Sequence, residues 1–151
     1  MRLYYTLLLL MFSLAAYCQD SENLYDASLA DSLGADDYGM KSYIFVALKT
    51  GSTVITDRDS MNVLMRGHLD NISRLAEEGK IILAGPYGKN DLNFRGLFIF
   101  DETDIEVVEK LLQTDPAIAA GVFETELIPW YGSAALPTYL PNHVKVQKIS
   151  P

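Results

Sequence analysis

Apolar and polar positions along the chain predict four strands. The strand segments are KSYIFVALKT at residues 41–50, KIILAGP at 80–86, FRGLFIF at 94–100 and GVFETELIPW at 121–130. Each is a short apolar run with turn-forming residues beside it, which is typical of strands. We expect Gly85 and Pro86 to break the second strand and Pro129 to close the fourth, because proline lacks the N–H that a sheet ladder uses.

A helical pattern follows the first strand. Positions 61, 65, 68, 72 and 75 repeat at spacings of four and three, so they share one face of a helix. Asp59 or Ser60 can cap the start of this helix, and Gly79, after Glu78, supplies its stop. The sequence therefore predicts a long helix between the first two strands.

A second helix is predicted between the third and fourth strands. Thr103 and Glu106 have the T-x-x-E spacing of a capping box, and the Asp115-Pro116 pair ends the helical pattern. The order strand, helix, strand, strand, helix, strand is the β-α-β-β-α-β pattern of the ferredoxin-like fold. We therefore predict an α+β domain with an antiparallel sheet over residues 41–132.

Both faces of the first strand are apolar. One face carries Tyr43, Phe45 and Ala47, and the other carries Ile44, Val46 and Leu48. Two helices can cover only one face of a four-stranded sheet, so the other face needs a different partner. We expect a homodimer that packs sheet against sheet, with a pocket between sheet and helices or near the seam.

The first eighteen residues resemble a secretory signal peptide. Arg2 precedes an apolar run over residues 7–16, and small residues follow. The run is shorter than the roughly 20 residues that cross a bilayer, which favours cleavage after Cys18 over a permanent anchor. We expect export to the periplasm or the extracellular space. Lipid attachment through Cys18 is the less favoured alternative, because bulky Tyr17 precedes that cysteine.

Two flanking segments and the charge complete the organisation. Residues 19–40 contain acidic but no basic side chains and are predicted to form a flexible acidic leader. Residues 133–151 form a tail that either wraps a partner subunit or adds an edge strand. The net charge is −8 at pH 7, and the basic residues are scattered singly. We therefore expect no nucleic-acid partner, and no membrane association once the signal is removed.

His68 interrupts the apolar stripe of the first predicted helix. The other stripe positions are Met61, Met65, Ile72 and Leu75. A buried imidazole without a hydrogen-bond partner costs about 1–3 kcal/mol, so His68 needs a partner. A core histidine with satisfied hydrogen bonds and a catalytic histidine both fit this position.

Asp115 is the best candidate partner for His68. It also fits a purely structural role, because an aspartate before Pro116 is typical of a helix N-cap. Arg66 lies on another side of the helix from His68, whereas Arg95 interrupts an apolar strand. Cys18 is the only cysteine, and the chain has no H-E-x-x-H motif, glycine-rich phosphate loop or serine elbow. We therefore expect no metal site.

Three motifs in order resemble the YCII-related (YciI-like) family of dimeric α/β barrel proteins. They are RGHLDNISRLAEEGKIILAGP, RGLFIF and TDPAIAAGVFETELIPWYG. The resemblance covers about residues 41–132. The resemblance implies that His68 and Asp115 form a His-Asp centre in a pocket. It also places Arg66, Gly85, Pro86 and Trp130 at positions typical of the family.

The same resemblance implies a function. Family members include a dehydrochlorinase of a hydroxylated aromatic ring, and related barrels include lactone isomerases. We therefore expect a cofactor-free lyase or isomerase in which His68 moves a proton and Asp115 orients it. Arg66, Tyr87, Arg95 and Trp130 are the candidate substrate-binding residues. The alternatives are a non-catalytic module that binds a small molecule, and an interaction protein that uses its acidic leader.

Overall fold

The structure, a computed structural model, describes residues 24–149. Its elements are helix α1 (Ala27–Leu33), strand β1 (Met40–Thr50), helix α2 (Arg58–Glu77), strands β2 (Ile81–Pro86) and β3 (Phe94–Phe100), helices α3 (Ile105–Leu112) and α4 (Pro116–Ala119), strand β4 (Phe123–Ser133), a 3₁₀-helix (Leu136–Tyr139) and helix α5 (Leu140–Val146). The predicted signal peptide and the lipid-attachment alternative at Cys18 lie outside the described residues. Among the helices of residues 24–149, none is long and apolar enough to cross a membrane.

The four strands form one antiparallel sheet. Their order is β2-β3-β1-β4, and β1 pairs with β4 from Met40 opposite Ser133 to Thr50 opposite Phe123. This confirms the predicted α+β class and the ferredoxin-like order of elements. Strand β1 lies inside the sheet, and its two apolar faces contribute to two separate clusters, Ile44, Val46 and Leu48 to one and Tyr43 to the other.

One face of the sheet packs against α2, α3 and α4. Its core contains Ile44, Val46 and Leu48 of β1 together with side chains of all three helices, among them Leu75, Val108 and Ile118. This core is the layer that holds α2 and α4 side by side. It therefore sets the distance between the two elements that carry His68 and Asp115.

The other face of the sheet carries a smaller apolar cluster. Tyr43, Ile82 and Ile99 are buried there, and Leu136 of the 3₁₀-helix packs against them. The Tyr139 hydroxyl donates a hydrogen bond to the carbonyl oxygen of Ile82 at 2.6 Å. The 3₁₀-helix therefore lies on the sheet of its own chain, and the segment from Leu136 to Val146 is helical, so the predicted edge strand is wrong. The homodimer stays a prediction.

Three predicted boundaries differ from the structure. The N-cap of α2 is Asp57, whose carboxylate accepts from the Ser60 amide at 2.8 Å. The N-cap of α3 is Asp104, so the Thr103 capping box is wrong. In both cases a nearby aspartate offers a charged acceptor to the free amides of the first turn. Strand β4 continues through Pro129, because an edge strand tolerates a missing N–H.

Regular structure begins before the first predicted strand. The segment predicted as a flexible leader contains α1, whose first turn is capped by the Asp26 carboxylate accepting from the Leu29 amide at 2.9 Å. Gly34 ends the helix with a φ of 67°, a left-handed conformation that glycine adopts without strain. Local capping residues therefore outweigh the polar composition of this segment.

Asp36 joins the N-terminal segment to β4. The Tyr131 hydroxyl donates to one carboxylate oxygen, and the Tyr38 and Met40 amides donate to the other at 2.9 and 3.0 Å. The bond from Tyr131, and next the bond from Met40, hold the pKa of Asp36 below its ordinary value of 3.8. The same bond raises the pKa of Tyr131.

A Tyr131→Phe substitution is expected to lower thermal stability in a pH-dependent way. A carboxyl with a lowered folded-state pKa stabilises the fold above its unfolded pKa, and this contribution is lost as the pH falls through the folded pKa. The Tm difference between wild type and Tyr131→Phe should therefore be larger near pH 7 than at about pH 3. Asp36→Asn serves as the control, since it should remove the same pH dependence. An equal Tm difference at both pH values would contradict this role of the bond.

Candidate active site

His68 lies on the sheet-facing side of α2 and is 6% exposed. Its Nδ1 atom is 2.6 Å from Oδ2 of Asp115. The imidazole ring lies beside two phenylalanine rings, with centroid distances of 5.1 Å to Phe123 and 6.2 Å to Phe98. Helix α2 therefore places the imidazole of His68 beside two aromatic rings.

Asp115 is the N-cap of α4 and is 1% exposed. Its Oδ1 atom accepts from the amides of Ala117 and Ile118 at 2.9 and 3.3 Å, while Oδ2 bonds to His68. The cap and the histidine partner, which the sequence left as alternatives, therefore exist together. Each role uses one oxygen of the same carboxylate.

The tautomer of His68 follows from this arrangement. An ionised carboxylate only accepts hydrogen bonds, so Nδ1 carries the proton that Asp115 receives, and Nε2 of the neutral ring has a free lone pair. Among the described residues, no fully buried side-chain nitrogen or oxygen lacks a hydrogen bond. Because the hydrogen bond of His68 is made through Nδ1, its Nε2 atom is not fully buried. The small exposed fraction of the His68 side chain, 8%, therefore includes part of Nε2.

Gly67 allows α2 to approach α4. A Cβ atom at this position would lie 2.6 Å from Cγ of Pro116, which is closer than carbon atoms can pack. The residue before His68 thus contacts the residue after Asp115. The dipeptides Gly67-His68 and Asp115-Pro116 therefore pack on each other.

The four predicted substrate-binding residues make their described contacts away from His68 and Asp115, and their role stays a prediction. Arg66 is exposed on α2, and exposed Arg95 donates through Nε to Oγ1 of Thr50 at 2.6 Å. The Tyr87 ring lies 5.8 Å from that of Phe94. Trp130 pairs with Tyr43 across β1 and β4 and contacts its ring at 5.7 Å. Since Tyr43 belongs to the second apolar cluster, Trp130 lies on the opposite face of the sheet from His68.

Comparison with known proteins identifies the family of this fold. A model of the YCII-related domain matches residues 40–131, which is more than half of the chain. The chain belongs to the YCII-related family. The YCII-related domain starts with the first residue of β1 and stops within β4, so α1, the 3₁₀-helix and α5 are additions to it.

Two further comparisons add little to the family assignment. No curated protein matches the chain. Among solved structures, the chain is similar to 5-chloro-2-hydroxyhydroquinone dehydrochlorinase (TftG) from Burkholderia phenoliruptrix AC1100 in complex with 2,5-dihydroxybenzoquinone. The identity is 21%, the TM-score is 0.38, and the match covers 58% of this chain and 92% of that chain. A similarity this low transfers neither substrate nor mechanism.

Two open depressions lie away from the histidine. One, of about 510 Å³, is lined by charged and polar side chains of α3 and by Thr125 of β4. The other, of about 360 Å³, lies between α1 and the start of the segment after β4. Neither is lined by His68 or Asp115. The pair therefore lies outside both depressions, with the imidazole next to the ring of Phe123.

Three residues around the pair, Phe123, Asn71 and Thr114, are not among the residues predicted from the sequence. Asn71 lies three positions after His68 and therefore on a neighbouring part of the same helix face. It is also the one other buried polar residue of α2. The helix spacing contains that signal, whereas Thr114 becomes recognisable only from its position beside Asp115.

Proposed function

We propose that this protein is an exported, cofactor-free acid–base enzyme, a lyase or isomerase of a small cyclic or phenolic molecule. The observation that carries the proposal is the 2.6 Å contact between His68 Nδ1 and Asp115 Oδ2 in a nearly buried pair. A carboxylate that orients an imidazole through Nδ1 leaves Nε2 as a general base. Membership of the YCII-related family is consistent with this reading.

Proton transfer at Nε2 accounts for both reaction types. In a lyase reaction, Nε2 takes a proton from the substrate, the electron pair forms a new π bond, and a leaving group departs with its own pair, for example as chloride. In an isomerase reaction, the imidazolium returns the same proton to a different carbon. In either case the negative charge of Asp115 stabilises the imidazolium that forms.

The surroundings of the pair favour a flat, apolar substrate. The rings of Phe98 and Phe123 lie beside the imidazole and limit its contact with water. In such surroundings the attraction between carboxylate and imidazolium is stronger than in bulk water. Aromatic rings also pack favourably against other rings, so a phenolic or cyclic substrate can lie against Phe123 while Nε2 reaches its acidic proton.

Turnover of a defined panel tests the proposal. We would incubate the mature protein with lactones and with halogenated phenols and hydroquinones in deuterium oxide, and measure product formation, chloride release and deuterium incorporation. We expect at least one compound to be converted or to exchange a proton faster than in buffer. Binding without conversion or exchange would instead identify a non-catalytic binding module.

The export part of the proposal is tested by the N-terminus of the protein purified from its host. Cleavage of residues 1–18 gives a chain that begins at Gln19. Intact-mass measurement would show this species in the exported fraction. An acylated chain that begins at Cys18 would show that the protein is a lipoprotein. An intact N-terminus in the cytoplasmic fraction would contradict export.

A further inference from the structure

A second polar contact joins α2 to the turn that carries Asp115. Asn71 follows His68 by one helical turn and is 8% exposed. Its Oδ1 atom accepts from Oγ1 of Thr114 at 2.9 Å and from Nη2 of Arg74 at 2.8 Å. Thr114 is the residue immediately before Asp115. Two neighbouring positions of α2 therefore bind two neighbouring positions of the turn between α3 and α4.

Arg74 sets the orientation of this contact. A guanidinium only donates hydrogen bonds, so the amide atom of Asn71 that faces it is the oxygen. The same Nη2 atom donates to Oγ1 of Thr114 at 2.9 Å, which closes a ring of three side chains. Nη1 donates to Glu78 at 2.7 Å and anchors the guanidinium on α2. The ring is therefore held from the helix side.

The Thr114 hydroxyl has one proton and two acceptors within reach. Besides Oδ1 of Asn71, the carbonyl oxygen of Leu111 lies 2.6 Å away. Donation to Leu111 would close the last turn of α3 locally, as threonine hydroxyls often do near helix ends. Donation to Asn71 ties the turn to α2. In either state Arg74 Nη2 donates to both Oδ1 of Asn71 and Oγ1 of Thr114, so it holds the two side chains together.

We propose that Asn71 and Thr114, supported by Arg74, are positioning residues that hold Asp115 against His68. This rests on the proposed acid–base function of the pair. Only residues 113–115 separate α3 from α4. Fixing the Thr114 side chain therefore restricts the backbone that carries the Asp115 carboxylate. A geometry held by two adjacent contacts keeps the base oriented, as general-base catalysis requires.

Burial of an amide at position 71 supports this role. An apolar side chain of similar size would pack against the turn without any polar group to satisfy. The amide oxygen of Asn71 instead lies within hydrogen-bond distance of both Arg74 Nη2 and Thr114 Oγ1. Because hydrogen bonds are directional, this oxygen fixes the position of the Thr114 side chain more closely than apolar packing would.

The test compares Thr114→Val with Thr114→Ser in the mature protein. Valine keeps the shape and removes the hydroxyl, whereas serine keeps the hydroxyl and serves as the rescue variant. The readout is the rate at which the His68 Nδ1–H proton exchanges with solvent, measured from its proton NMR signal. This measurement needs no substrate. We expect Thr114→Val to speed this exchange about two- to tenfold, the worth of one hydrogen bond, and Thr114→Ser to restore it.

The outcomes separate this proposal from the proposed function. Unchanged exchange in folded Thr114→Val would overturn the positioning role even if the protein is an enzyme. Faster exchange in a protein without turnover would support the positioning role and contradict catalysis. If Thr114→Val does not fold, Arg74→Met removes the donor that faces both Asn71 and Thr114 from a half-exposed position. The same change in exchange is expected, and its absence would overturn the role.

Discussion

Replacing Asp115 by asparagine is expected to leave the fold intact and to lower kcat/KM on a converted substrate by about 100- to 10,000-fold. The side-chain oxygen of asparagine can still accept from the Ala117 and Ile118 amides, so the cap of α4 is kept. The amide nitrogen would then face Nδ1 of His68 as a donor. The imidazole must move its proton to Nε2, and that nitrogen can no longer act as a base.

Asp115→Ala provides the matched contrast. It removes the cap of α4 and leaves Nδ1 of buried His68 without a partner, which together cost about 2–4 kcal/mol in the free energy of unfolding. Chemical denaturation should therefore show a large loss for Asp115→Ala and a small one for Asp115→Asn. Both variants should lose turnover. An asparagine variant with wild-type turnover would show that Asp115 serves only as a cap.

A double variant shows whether the two residues act as a unit. His68→Ala removes the proposed base, so adding Asp115→Asn to it should cause little further loss of kcat/KM. Losses that multiply would mean that the residues contribute independently. Non-additive loss of kcat/KM is expected when the two residues act as one unit in turnover.

The position of His68 could be predicted because helix periodicity is a local property. A polar residue within a stripe of Met61, Met65, Ile72 and Leu75 is visible without any structure. The partner could not be derived in the same way. Asp115 is the best candidate partner, but its spacing alone favours a cap, and only the resemblance to the family favours the pair with His68. The structure shows why both indications were sound: a carboxylate has two oxygens, and the sequence does not reveal that each can serve a different element.

The predictions that were wrong concern features that depend on the surrounding structure as well as on the local sequence. Strand β4 continues past Pro129 because it lies at the sheet edge, a property set by strand order rather than by the local sequence. The second face of the sheet receives Leu136 from the C-terminal segment, and no periodicity in that proline-rich segment indicates where it packs. The N-cap of α2 is Asp57 instead of the predicted Asp59 or Ser60. Several side-chain acceptors lie within a few residues here, and backbone geometry selects among them.

A Gly67→Ala substitution is expected to lower turnover whatever it does to stability. Two effects on stability oppose each other. Alanine is favoured over glycine inside a helix by about 1 kcal/mol. The added methyl group, however, would lie 2.6 Å from Cγ of Pro116, and such overpacking typically costs about 1–3 kcal/mol. The net change in the free energy of unfolding is therefore small or destabilising.

Of these two effects, only the overpacking against Pro116 changes the geometry of the His68–Asp115 pair. The methyl group requires Cγ of Pro116 to shift away from α2, and we expect this shift to reach Asp115 because the proline ring includes the backbone nitrogen bonded to Asp115. A shift of about 1 Å at a catalytic group can cost about 100-fold in rate. We expect a loss of this order in kcat/KM for Gly67→Ala, with Gly88→Ala as the control, since a Cβ at Gly88 meets no atom within 4 Å. Wild-type turnover in folded Gly67→Ala would mean that the contact between the two dipeptides stabilises the fold without orienting the His-Asp pair.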